Sequence, residues 1–112
     1  MEAFMKYLEE QIALGKADVD RLERAGRRDD AVFAKIRTNI YDICRTVANV
    51  HTTRTGLGEK AVGAQLARFH SEWGAALEKA RAGGNAEKIA VEETKIAALS
   101  DVIARFGEET GR

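Results

Sequence analysis

One cysteine and two histidines are the most chemically reactive side chains in the sequence. Cys44 and His70 fall in consecutive apolar-periodic stretches. If the turn between those stretches is centred near residue 57, both lie about equally far from it and share a layer. A thiol beside an imidazole could act as a base-activated nucleophile, or the two could be ligands of a metal site. A metal site would want about four ligands, and the same layer otherwise holds Leu8, Ile12 and Leu99. The plainer expectation is a small buried cysteine near a partly buried histidine. Ala48 and Ala67 stand three residues before His51 and His70, so the Glu-x-x-His of di-iron bundles is absent. No metal or other cofactor is expected.

Glu92 lies between Ile89 and Ile96 on an inward line, with Glu93 beside it. The same layer count sets it level with Lys16 and Arg37. A carboxylate pointing at a core needs a partner, so a Glu92–Arg37 ion pair that fixes helix register is expected. Gly63, Ala67, His70 and Gly74 form a stripe of small residues. Its two glycines cost about 1 kcal/mol each against alanine in mid-helix. Either a neighbouring helix approaches closely there or the stripe is a shallow contact groove. Arg21, Arg24, Arg27 and Arg28 gather at one turn and Lys79, Arg81 and Lys88 at another, but interspersed acids make a solvated mixed-charge end the better expectation.

The elements that position these groups are helices. Phe33, Ile36, Ile40, Ile43, Val47 and Val50 recur at alternating steps of three and four, the inner seam of a helix in an antiparallel bundle. Similar lines, punctuated by Gly26, Gly56/Gly58 and Gly83/Gly84, predict helices over about 2–25, 28–54, 59–82 and 86–106. The short connections force neighbours to pack antiparallel. The expected fold is all-α, an up-down-up-down antiparallel four-helix bundle forming a single domain over 1–112, with the second helix the most buried. The rival is a looser pair of hairpins that closes its core only as a dimer. Tyr41, read as exposed, and the wide apolar face of the second helix point towards that rival.

Composition narrows the function classes. Lys plus Arg is 18 and Asp plus Glu is 18; this zero balance argues against nucleic acid as a partner. No apolar run is long enough to span a membrane, and the lone cysteine suits a reducing cytoplasm. Proline is absent, which lets long helices run unbroken.

Two family resemblances bear on function. His51-Thr-Thr-Arg54-Thr-Gly56 loosely resembles the His-x-x-Lys-Gly of histidine phosphotransfer domains, also four-helix bundles. That resemblance implies a phospho-accepting His51 with Arg54 as its charge partner. The run from Gly26 to Ile43 resembles small bacterial helical proteins with no assigned function, which implies a fold and no activity. The leading expectation is a non-enzymatic module for protein contact, with a second copy of itself as first candidate partner in a homodimer. Tyr41, Gly63, Ala67 and Gly74 would supply the contact surface, and His51 phosphotransfer is the alternative.

Overall fold

The computed structural model describes residues 1–54 and 58–111, with the side chains of 53 and 54 left aside. The proline-free, strongly periodic chain forms four helices: α1 (Glu2–Arg24), α2 (Arg28–Asn49), α3 (Gly58–Gly83) and α4 (Ala86–Thr110). A π-helical turn, Val50–Arg54, extends α2. Gly26 ends the first hairpin's α1 with φ 75°, the left-handed value that glycine adopts without strain. Asp29 and Asp30 lie in the first turn of α2, where the helix dipole favours negative charge. The Asn85 side chain caps α4 by accepting from the Lys88 amide at 3.1 Å. Contrary to expectation, α4 does not stop at Phe106; it runs through Gly107 to Thr110, and Gly111 supplies the left-handed cap with φ 73°. None of the helices, over the described residues, is long and apolar enough to cross a membrane.

The helices form a four-helix bundle built from two hairpins. Its main core takes Phe4, Leu8 and Ile12 from the first half of α1, and Ile40, Cys44 and Ala48 from the second half of α2. Val62 and Leu66 come from the start of α3, and Leu99, Val102 and Phe106 from the end of α4. That combination requires helices of alternating direction. α2 and α4 each touch all three other helices, whereas α1 and α3 do not meet. The cross-section is therefore a rhombus with α2 and α4 on its short diagonal. Beyond the shared half the hairpins diverge: Leu22, Ala31 and Ala34 form a separate cluster within the first hairpin alone.

The buried face of α2 is not the predicted one. Of the seam Phe33, Ile36, Ile40, Ile43, Val47 and Val50, only Ile40 is fully covered. The most buried residues are instead Ala31, Ala34, Ile40, Tyr41, Cys44 and Ala48. The cause is α1, which packs on the flank of small residues. At Gly15 it comes so near Thr38 that an added Cβ would stand 3.0 Å from the Thr38 Cβ and Cγ2. Small residues let backbones approach, and the closest approach decides which side of α2 is sealed.

Candidate functional site

The expected Cys44–His70 constellation does not form. Cys44 is fully buried in the main core, and burial alone pushes its thiol up to about 12. A thiol so desolvated is neither a thiolate nucleophile nor a ready ligand at neutral pH. His70 lies exposed on α3. The inner line of α3 is the expected one, Val62, Leu66, Leu77 and Ala80 with Phe69 and Trp73 partly covered, which leaves His70 outside, whereas the Cys44 flank of α2 is sealed in the core. Among the described residues no group of three or more His, Cys, Asp or Glu is placed to hold a metal ion.

His51 sits in the π-helical turn, half-covered, with its Nδ1 buried. The Arg54 side chain, its expected charge partner, lies outside the described residues. The expected Glu92–Arg37 pair is also absent. Glu92, 16 % exposed at its side chain, pairs along its own helix with Lys95 at 3.6 Å, and Arg37 reaches Asp18 at 3.9 Å. Glu93 pairs with Arg81 at 3.7 Å, and Lys16 is exposed. The predicted layer assumed hairpins in contact along their whole length; their divergence separates the partners. One Glu92 oxygen, Oε2, is buried without a hydrogen bond.

The proposed contact residues also redistribute. Tyr41 is buried, 6 % exposed, not part of the surface. Its ring meets Tyr7 edge-on at 6.3 Å, and the Arg105 guanidinium lies 4.7 Å from the Tyr7 ring centre. Burial, then the neighbouring phenol and Asp101, hold the Tyr7 hydroxyl above the usual range. Burial and Asp101 do the same for Tyr41. Sequence reasoning missed this pair, although Tyr7 follows Phe4 by three and precedes Leu8 on one face of α1. Gly63 does serve a close approach, since an added Cβ would lie 3.1 Å from the Phe106 ring. Gly74 has open space around it and Ala67 is exposed. The stripe is thus half packing and half surface.

Unexpected apolar surface appears where the hairpins diverge. Val32 is 50 % exposed, and Phe33 and Ile36 are only partly covered. On α3, Trp73 packs against the main core and stacks on Phe69 at 5.1 Å, with the Lys95 ammonium 5.2 Å from its ring, and stays partly exposed. The seam residues that failed to enter the core supply this surface. At the tip, Arg24–Asp20, Arg27–Asp30 and Lys35–Glu23 pairs at 2.7–3.2 Å leave both signs solvated, as expected. Comparison with protein-family models, curated proteins and solved structures returns no match.

Proposed function

We propose that this chain works through protein contact rather than catalysis, and that the contact surface is the outer part of α2. The single supporting observation is the apolar line of Val32, Phe33 and Ile36, which belongs to no closed cluster although its helix is otherwise well packed. Clustered apolar side chains at the surface mark interaction sites more often than scattered ones do. The sequestered Cys44 thiol favours a structural cysteine and suits a reducing compartment, so a cytoplasmic site of action is part of the proposal. A photo-crosslinking residue placed at Val32 should give one dominant adduct in living cells, and the same residue at exposed Glu10 on α1 should give none. Equal labelling at both positions would remove the reading.

A further inference from the structure

At 100° per residue, the line of α4 through Phe106, Val102 and Leu99 runs on into Lys95, Glu92 and the exposed Lys88, with the partly covered Ile96 and Ile89 beside it. The line of α2 that faces the second hairpin reads Val47, Ile43 and Ile40, then Ile36, Phe33 and Val32. The two lines match over the shared half. Beyond it α2 stays apolar while α4 sets charge beside Ile96 and Ile89, and the chain leaves Val32 half exposed and Ile36 and Phe33 only partly covered.

The molecule as a whole is more open than a compact monomer of its mass. The accessible surface is 6861 Å², against about 6,100 Å² for a compact monomer of 12.3 kDa. The Cα radius of gyration is 15.0 Å, where about 13 Å is ordinary for this length. The surplus, roughly 750 Å², is spread over the whole elongated molecule, and the half-exposed Val32 with the partly covered Phe33 and Ile36 is one part of it. Charge also permits like to meet like, because the 18 basic and 18 acidic residues leave no net repulsion between copies.

Resting on the contact-surface reading above, we propose that the partner is a second copy of this chain, packed through α2 about a two-fold axis near Phe33. Such an interface is isologous, so residues equally spaced either side of the axis face one another. Antiparallel α2 helices centred on residue 33 set Asp29 of each copy level with Arg37 of the other. Asp29 has no ion pair among the described residues, and Arg37 has only the long 3.9 Å contact with Asp18. Both flank the apolar line, where opposite charges fix orientation.

Sedimentation equilibrium on the full chain tests this. The wild type should show twice the 12.3 kDa chain mass at micromolar concentration. Ile36→Glu should weaken association at least tenfold with an unchanged helical circular dichroism spectrum. Asp29→Arg and Arg37→Asp should each weaken it about tenfold, and the double charge reversal should restore it to within about threefold of wild type. A dimer indifferent to all of these changes overturns the proposed surface. A wild type with single-chain mass throughout overturns the second copy, and small-angle scattering then separates the two claims. A monomer retaining a radius near 15 Å leaves α2 open for a different protein. One contracted to about 13 Å has covered the line itself and removes the contact-surface reading too.

Discussion

Replacing Gly15 with alanine sets two effects against each other, and the geometry decides the sign. Alanine in a helix interior gains about 1 kcal/mol over glycine. At Gly15 the new methyl would meet the Thr38 side chain, with its Cβ and Cγ2 at 3.0 Å and its Oγ1 nearer still. Thr38 cannot swing aside freely, because its hydroxyl donates to the Ala34 carbonyl at 2.7 Å. Losing that bond would cost about 1 kcal/mol. Its Cβ, fixed to the backbone, moves only if α2 moves. Overpacking of this kind costs about 1–3 kcal/mol, so Gly15→Ala should destabilise by about 1 kcal/mol net. Gly74→Ala is the control: nothing lies within 4 Å of its added Cβ, so the gain should appear undiminished, about 0.5–1 kcal/mol. Urea unfolding followed by circular dichroism measures both. Combining Gly15→Ala with Thr38→Ala should recover most of the loss, with a coupling energy near 1 kcal/mol. If Gly15→Ala stabilises as much as Gly74→Ala, the close approach of α1 and α2 at this level is wrong.

Three further outcomes are expected. Cys44 should resist thiol reagents in the native protein, and its modification rate should fall in step with added stabilising osmolyte; fast labelling without unfolding would contradict its burial. Because folding raises the Cys44 pKa from 9.0 to about 12, its share of stability is intact below about pH 9 and disappears as pH rises towards 12. The loss would reach about 4 kcal/mol, with the two raised tyrosines adding to it, and a flat alkaline stability profile would refute it. Glu92→Gln and Arg37→Met should have additive effects within about 0.5 kcal/mol, since the residues are not partners; a larger coupling in a double-mutant cycle would restore the pair.

Helix number, order and approximate ends were legible because the apolar period is strict, proline is absent and glycine marks each turn. Asn85 and Gly26 act as their types suggest. The rotation of α2 was not legible. It has two adjacent apolar lines, one of large residues and one of Ala31, Ala34, Cys44 and Ala48, and periodicity cannot rank them. Close approach at Gly15 favours the small line, a decision that lives on α1. The misplaced pairs have separate causes: Cys44 lies in the shared core while His70 is on the outer side of α3, and Glu92 and Arg37 lie where the hairpins part. Counting layers from the turns assumes hairpins in contact over their whole length, whereas the first hairpin closes a cluster of its own at Leu22, Ala31 and Ala34. The close approach of α1 also moved the contact surface from Tyr41, which lies beside Tyr7 in the core, to Val32, Phe33 and Ile36.

Trp73 offers the most direct test that the diverging halves are an open contact surface filled by association. It is the chain's one tryptophan and is partly exposed where it packs against the main core beside Lys95. Iodide quenching of its fluorescence should be substantial in dilute protein and fall as concentration rises, with the midpoint at which the mass doubles. A quenching constant that stays the same across the transition, or a Trp73 shielded even at the lowest concentration, would contradict both the open surface and its closure by a second chain.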